Sequence, residues 1–152
     1  MSLLREYVKL IFTEVDVVEH DGAGIIIVRE FNGEWKILGL EDDEGMDFPK
    51  GHAEDDEDPM ETALRETEEE SSLRASDLDF KWGKEPLIID GHLFLYLAAT
   101  KTEAVIQQNP ETGKLEHKSS QWLSFDEAEE SVLYYLKSGV VWAREKIQRV
   151  EE

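Results

Sequence analysis

The chain has 152 residues, no cysteine and a formal net charge of −20, and 40% of its residues are hydrophobic. This length and hydrophobic content suffice for one packed domain, which we expect to span residues 1–152. The charge disfavours stable binding to nucleic acid or to an anionic membrane, and the missing cysteines exclude disulfides and thiolate chemistry.

No membrane-spanning or secretory segment is expected in this chain. No apolar run approaches the roughly 18 residues that cross a bilayer, and no long apolar stretch follows Met1–Arg5. We therefore expect a cytoplasmic protein, which a chain without cysteine permits. The large negative charge fits either a salt-tolerant surface or cation binding, and the positions of the acidic residues must decide between them.

The first half of the chain predicts strands joined by a tight hairpin. A strand is plausible within Tyr7–Val18, and Gly24–Arg29 is typical of a buried strand because it is almost continuously apolar. Asn32 and Gly33 then precede a second apolar run, Trp35–Leu40. An Asn-Gly pair between two such runs predicts a two-residue β-hairpin.

A helix and further strands are predicted next. Asp58 followed by Pro59 is typical of a helix start, since Asp caps well and Pro suits the first helical position; the helix should end near Ser71. Asp90-Gly91 predicts a hairpin between strands at Phe80–Ile89 and His92–Ala99. Pro110–Gly113 predicts a turn that leads to a strand at Ser120–Leu123.

The C-terminal region predicts a second helical segment. Ser124 is a suitable N-cap, with Asp126 and Glu127 in the first turn. Helical spacing of apolar residues continues to about Val150, with a break expected near Gly139. The order of strands and helices indicates an α+β domain in which a mixed sheet packs between helices.

The helix after Asp58 carries three acids on one face. On a helical wheel of about 100° per residue, Glu66, Glu69 and Glu70 fall together beside a packing face that includes Ala63 and Thr67. These like charges repel one another unless a cation binds between them. Carboxylate oxygens suit Mg²⁺, and Mn²⁺ is also possible. A solvated acidic face is the alternative, but the nearby Arg65, Glu57 and the Phe48–His52 loop favour a site.

This region resembles the signature of the Nudix hydrolases. The matching residues are Gly51, Glu57, Arg65, Glu66, Thr67, Glu69, Glu70, Ser72 and Leu73. The spacing is kept throughout. The one clear departure is Ser72, at a position where the family usually has glycine. That departure predicts strain in the turn after the helix, since glycine adopts positive φ freely. The resemblance implies an α/β/α sandwich and a metal-dependent hydrolase.

A narrower resemblance is to asymmetrical diadenosine tetraphosphate hydrolases. The residues that carry it are Phe48–His52, Glu61–Thr67, Glu116-His117 and Trp122-Leu123. It implies that Glu116, from outside the helix, supports metal binding or catalysis. The family often has a tyrosine near Ser120 that packs against adenine. Without it, Tyr96 or Trp82 could provide a stacking surface, although a core role is favoured for each.

These observations assign provisional roles to the site residues. Metal ligands are expected at Glu66, Glu69, Glu70 and Glu116, with a backbone carbonyl near Lys50-Gly51 implied by the resemblance. Glu70 is the preferred general base and Glu116 the alternative. Arg65 is expected to orient Glu57 or a metal-binding glutamate through paired hydrogen bonds. Lys50 could contact phosphate, and His52 and Tyr96 are further candidates for binding substrate.

The expected reaction is Mg²⁺-dependent hydrolysis of a nucleoside polyphosphate such as a diadenosine tetraphosphate. The alternatives are removal of pyrophosphate from RNA 5′ ends, hydrolysis of another nucleoside diphosphate derivative, and a metal- or nucleotide-binding module without catalysis. We expect a small-molecule substrate, no stable binding to nucleic acid or membrane, and a monomer or weak dimer.

Overall fold

A computed structural model describes residues 20–106 and 117–151. The strands are β1 (Gly22–Phe31), β2 (Glu34–Asp42), β3 (Gly45–Asp47), β4 (Lys50–His52), β5 (Leu87–Ile89), β6 (Leu93–Ala99) and β7 (Ser120–Leu123). The α-helices are α1 (Pro59–Ser71), α2 (Phe125–Ser131) and α3 (Lys137–Glu151), with 3₁₀ turns at Ala75–Asp77 and Tyr134–Leu136. The strand predicted within Tyr7–Val18, the turn at Pro110–Gly113 and Glu116 lie outside the described residues.

The strands form one mixed sheet with β1 at its centre. Its order is β3-β2-β1-β6-β5, with β4 also paired to β1 and β7 to β2. β1 is antiparallel to β2 and parallel to β6. Side chains alternate along β1, so that Ile25 and Ile27 face the apolar cluster that contains Ala63 of α1, while Ile26 packs in the cluster of α2 and α3. This arrangement confirms the α+β fold with a mixed sheet between helices.

Both predicted hairpins are confirmed, and one strand is shorter than predicted. Asn32 and Gly33 have φ of 51° and 84°, and Asp90 and Gly91 have φ of 52° and 74°. Two consecutive left-handed residues are what a type I′ turn requires. The strand before Asp90 covers only Leu87–Ile89. The prediction that it starts at Phe80 was wrong, because the chain turns at Gly83, whose amide bonds to the Phe80 carbonyl at 3.0 Å.

The C-terminal helical region breaks earlier than predicted. α2 ends at Ser131, and the next residues pair with the sheet: Val132 bridges Met46, and the Leu133 amide donates to the Met46 carbonyl at 2.9 Å. Gly139 lies inside α3, where an added Cβ would come within 3.1 Å of Ile26. The glycine therefore permits close packing of α3 on the sheet rather than a break. No helix in the described ranges is long and apolar enough to span a membrane.

Ser72 adopts the strained conformation that its sequence position predicts. Its φ is 67°, its amide donates to the Glu68 carbonyl, and its hydroxyl donates to the Val105 carbonyl at 2.8 Å. An L-residue in this left-handed region costs roughly 1–2 kcal/mol relative to a permitted conformation. The hydroxyl hydrogen bond offsets part of that cost, since a typical one contributes about 1 kcal/mol.

Two substitutions at this position separate strain from hydrogen bonding. Ser72→Ala removes the hydroxyl and keeps the strain, so we expect it to lower the free energy of unfolding by about 1 kcal/mol. Ser72→Gly removes both, so we expect it to remain within about 0.5 kcal/mol of the native protein. Urea unfolding of the three proteins measures this, and equal losses in both variants would contradict the strain at Ser72.

Candidate active site

α1 begins with a complete cap that fixes the acidic face. The Asp58 carboxylate accepts from the Glu61 amide at 2.8 Å, and the Glu61 carboxylate accepts from the Asp58 amide at 3.1 Å. Such a capping box satisfies two amides that the helix itself leaves unbonded. Ala63 and Thr67 are fully buried against the sheet. The register of α1 is therefore fixed at both its start and its packing face, and the acids that follow are held toward β4.

Arg65 gathers the acidic side chains around one guanidinium group. Its Nε and Nη2 donate to the two carboxylate oxygens of Glu57 at 2.7 and 3.0 Å. Its Nη1 donates to Glu66 at 2.9 Å and to Glu69 at 3.3 Å, and Nη2 also donates to the His52 carbonyl at 2.8 Å. The predicted pairing of Arg65 with Glu57 is thus present in the structure. Since Glu66 and Glu69 contact the same nitrogen, their carboxylates lie side by side.

Glu57 is held in its charged form by several donors. Hydrogen bonds from Arg65, with help from the Glu54 amide and the Thr62 hydroxyl, lower the pKa of Glu57 from 4.5 to about 2 although partial burial opposes this. The Arg65 pKa is raised, mainly by its hydrogen bonds to Glu57. Thr62 in turn contacts the His20 imidazole at 2.9 Å. These contacts join the start of α1 to the loop after β4 and to His20, which precedes β1.

The pKa of Glu57 predicts how stability depends on pH. Because the folded pKa lies below the unfolded value, this stabilisation is fully present above about pH 4.5 and is lost as pH falls toward 2. The free energy of unfolding of the native protein, minus that of Glu57→Gln, should shrink by about 3 kcal/mol between about pH 5 and pH 2. Subtracting the variant removes the effect of the other acids. A difference in unfolding free energy between the two proteins that stays constant over this pH range would contradict the prediction.

Gly51 leaves room for the carboxylate of Glu66. A Cβ built on Gly51 would lie 2.1 Å from the Glu66 Cδ and 2.3 Å from its Oε2. A side chain here would displace that carboxylate. The Gly51 carbonyl lies next to Gly22 on β1, since a Cβ on Gly22 would be 2.7 Å from this oxygen. Its role as a metal ligand stays a prediction.

Glu70 is buried and held by the backbone of β4. Its side chain is 6% exposed, and its Oε1 accepts from the Lys50 amide at 2.9 Å. Its Oε2 lies 3.8 Å from Nδ1 of His117, which is also 6% exposed. Asp47 lies on the far side of that imidazole, with Oδ2 3.4 Å from Nε2. The proposed base is therefore fixed in position from two directions.

Lys50 keeps its charge although it is half-buried. Burial opposes the charged ammonium, but Asp47, 3.3 Å from Nζ, and the hydroxyl of Tyr135 together raise the pKa of Lys50. The ammonium lies 5.5 Å from the centre of the Tyr135 ring. Lys50 thus presents a positive charge beside the site carboxylates, in addition to that of Arg65, which suits contact with phosphate.

A small pocket of about 210 Å³ opens beside β4. Its walls include Lys50, Gly51, His52, His92 and Tyr135. A larger cleft, of about 810 Å³, lies at the other end of β1, where Arg29, Trp35 and Thr100 form part of its wall. The smaller pocket shares Lys50 with the surroundings of Glu70 and Gly51 with those of Glu66, and neither glutamate is part of its wall.

The structure groups most of the residues that the sequence indicated. Tyr96 is 6% exposed and packs in the core beneath α1, where burial raises its pKa to about 12. This favours a packing role, and its stacking role stays a prediction. Trp82 packs edge-on against Trp35, with ring centres 5.2 Å apart. Asp47 and Thr62 were missed, and for Asp47 the reason is that only the folded chain brings it to His117, 70 positions away.

The donor set suits a hard divalent cation. Glu66, Glu69 and Glu70 offer only carboxylate oxygens, and their side chains are 14%, 42% and 6% exposed. Mg²⁺ and Mn²⁺ prefer such ligands and usually retain water. The exposed side of Glu69 leaves an open approach for water and phosphate. The residues present therefore fit a hard divalent cation.

Comparison with known proteins identifies relatives over most of the chain. A model of the NUDIX domain matches residues 13–147. The asymmetrical bis(5′-nucleosyl)-tetraphosphatase of Rattus norvegicus is 34% identical over 125 residues, which is 70% of this chain and 80% of the rat protein. Nudix hydrolase 4 of Arabidopsis thaliana is 36% identical over 101 residues, 62% of this chain, and the match spans only 45% of the plant protein.

A solved structure shows the same fold. A C. elegans Ap4A hydrolase, described as a binary complex, superposes with a TM-score of 0.69 at 20% identity, covering 84% of this chain and 98% of that one. This likeness is one of fold, and the family model and the rat relative carry the sequence evidence. Together with the acidic face of α1, they show that this chain belongs to the Nudix family of pyrophosphohydrolases.

Proposed function

We propose that this chain hydrolyses a phosphoanhydride bond of a small nucleoside polyphosphate, preferably an asymmetrically cleaved dinucleoside tetraphosphate. The rat relative's name and the narrower motifs support that substrate class. The observation that carries the proposal is the gathering of three α1 carboxylates around Arg65 and β4: Glu66 and Glu69 share Nη1 of Arg65, and Glu70 accepts from the Lys50 amide. We place the activity in one cytoplasmic domain, residues 1–152, acting as a monomer or weak dimer.

Glu66, Glu69 and Glu70 are the proposed ligands of Mg²⁺, with Mn²⁺ as a substitute and Glu116 as a further ligand. A bound divalent ion would neutralise phosphate oxygens and lower the pKa of a coordinated water. Arg65 neutralises the repulsion between Glu66 and Glu69 and keeps them side by side before substrate arrives.

Glu70 is the proposed general base. Its Oε1 is fixed by the Lys50 amide, so that its orientation does not depend on substrate. A base held within hydrogen-bonding reach of the attacking water typically contributes 10²–10⁴-fold to the rate. Glu116 remains the alternative base and lies outside the described residues.

Lys50 and His52 are the proposed contacts to substrate in the pocket beside β4. The Lys50 ammonium provides the positive charge that a polyphosphate needs there. His52 is exposed at the pocket wall, and its carbonyl is held by Arg65. Tyr96 is a weaker candidate because little of its ring is accessible.

The charge of the chain predicts a steep metal requirement and poor activity on long RNA. At a net charge of −20, a polyanion is repelled unless cations reduce the local negative potential. We expect hydrolysis to fall to background when Mg²⁺ is removed with a chelator, and to return when it is restored. Triphosphorylated RNA should be cleaved at least about tenfold more slowly than a dinucleoside tetraphosphate at low salt. Faster cleavage of RNA would contradict this.

The experiment that tests the function is a substrate panel with product identification. Dinucleoside polyphosphates, nucleoside triphosphates and capped or triphosphorylated RNA ends are each incubated with and without Mg²⁺. Running the reaction in ¹⁸O-labelled water shows which phosphorus is attacked. Preferred conversion of a dinucleoside tetraphosphate to a mononucleotide and a nucleoside triphosphate supports the proposal, and absence of Mg²⁺-dependent turnover across the panel overturns it.

A further inference from the structure

A second group of potential metal ligands lies beside Glu70, where Nδ1 of His117 is 3.8 Å from Oε2 of Glu70. One carboxylate oxygen from each of Asp42 and Asp47 and one ring nitrogen of His117 all lie within 4.8 Å of one another. Asp47 and His117 are each 6% exposed, and Asp42 is partly exposed. We propose that these three residues form a separate binding site for a divalent cation with affinity for nitrogen, such as Mn²⁺ or Zn²⁺.

The two oxygens of Asp47 have different surroundings. Its Oδ1 accepts from the Phe48 amide at 2.8 Å and lies 3.3 Å from Nζ of Lys50. Its Oδ2 faces His117. Lys50 therefore balances charge on one side of the carboxylate, while the other oxygen is directed toward the cluster. Asp42 adds a second carboxylate, so the site retains negative charge for a cation despite Lys50.

The orientation of His117 supports this site. Its Nε2 faces Asp47, while Nδ1 faces Oε2 of Glu70 at 3.8 Å. A metal-binding histidine commonly directs its other ring nitrogen to a carboxylate, which fixes the ring and selects the tautomer. With hydrogen on Nδ1, Nε2 offers its lone pair to the ion. Two carboxylates and an imidazole suit Mn²⁺ or Zn²⁺ better than Mg²⁺, which favours oxygen alone.

The fold gives such an ion a structural consequence. Asp42 ends β2, Asp47 ends β3, and His117 lies on the segment that enters β7 and bonds to β2 through Lys118 and Glu41. An ion there would join the β2–β3 hairpin to that segment and hold the imidazole against Glu70. Its occupancy would therefore influence the position of the proposed base while lying outside the α1 carboxylates.

The first test is electron spin echo spectroscopy of the native protein with Mn²⁺ alone. A histidine ligand produces ¹⁴N modulation in the Mn²⁺ signal. We expect modulation in the native protein, its loss in His117→Gln, and its retention in His52→Gln, a control at an exposed histidine. Asp42→Asn should also lose it, which keeps the test decisive if His117→Gln does not fold. Absence of modulation in the native protein, or its persistence in both Asp42→Asn and folded His117→Gln, overturns the proposal.

The second test is calorimetric titration with Mn²⁺ of Asp42→Asn and Asp43→Asn. Both variants lose one negative charge from the same turn, but Asp43 is exposed and pairs with Lys118. We expect Asp42→Asn to weaken one class of Mn²⁺ site at least about tenfold, with Asp43→Asn close to native. Equal binding by the two overturns the proposal. Because Glu66→Gln should keep the ¹⁴N modulation, failure here is distinguishable from failure of the proposed hydrolase function.

Discussion

Replacing Glu70 with glutamine is expected to lower kcat by about 10²–10⁴-fold at saturating Mg²⁺. Glutamine retains a carbonyl oxygen that can accept from the Lys50 amide, so the local geometry should persist. It removes the negative charge and the ability to accept a proton from water. The protein should therefore fold normally, and activity should not recover as Mg²⁺ is raised.

Glu68→Gln is the matched control for this substitution. Glu68 lies on the same helix but is exposed, and it pairs with Arg74 at 3.6 Å, away from β4. Its kcat should stay within about twofold of native, since exposed ion pairs contribute little. The measurement is kcat against Mg²⁺ concentration for the three proteins. Near-native turnover of Glu70→Gln at saturating Mg²⁺ would rule out Glu70 as the base and favour Glu116.

Replacing Arg65 with glutamine is expected to lower the free energy of unfolding by about 2–3 kcal/mol. The guanidinium is 22% exposed and binds Glu57, whose side chain is 15% exposed, through two short hydrogen bonds. Removing one partner of a buried pair costs about 3–5 kcal/mol, and the partial exposure of this pair reduces that value. Glu57, Glu66 and Glu69 would also repel one another without the guanidinium group that they share.

The same substitution should alter the dependence on Mg²⁺. Without Arg65 the carboxylates lose their fixed arrangement, so we expect at least about a tenfold rise in the Mg²⁺ concentration that gives half-maximal activity. Arg74→Gln serves as the control, because Arg74 is 76% exposed and contacts only Glu68 among the described salt-bridge partners. Its stability should change by less than about 0.5 kcal/mol. Equal unfolding free energies for the two variants would contradict the central role of Arg65.

Local signals in the sequence were sufficient for the hairpins and for α1. A type I′ turn requires positive φ at both central residues, and Asn-Gly and Asp-Gly pairs adopt it readily. Asn32-Gly33 and Asp90-Gly91 therefore predict their turns without reference to distant residues. Asp58 and Pro59 specify the helix start in the same local way. The spacing along α1 also predicted that Glu66, Glu69 and Glu70 share one face of the helix, and in the structure Glu66 and Glu69 contact Arg65 while Glu70 contacts Lys50.

Features that depend on distant residues were not predictable from those signals. The helical break occurs at Val132 because Leu133 bonds to Met46, far earlier in the chain. Asp47 and His117 are 70 positions apart, and only the pairing of β2 with β3 and β7 brings them together. Tyr96 carried an aromatic signal that fits either a core or a site, and its burial in β6 favours packing. The fold resolves what residue type alone leaves open.

The most direct test of the account is a crystal structure with Mg²⁺ and a non-hydrolysable dinucleoside tetraphosphate. We expect at least one ion within about 2.0–2.1 Å of carboxylate oxygens from Glu66, Glu69 and Glu70, with phosphate oxygens completing its shell. The proposed metal centre would be contradicted if the nucleotide were bound, the ions lay only elsewhere and these three side chains were turned to solvent.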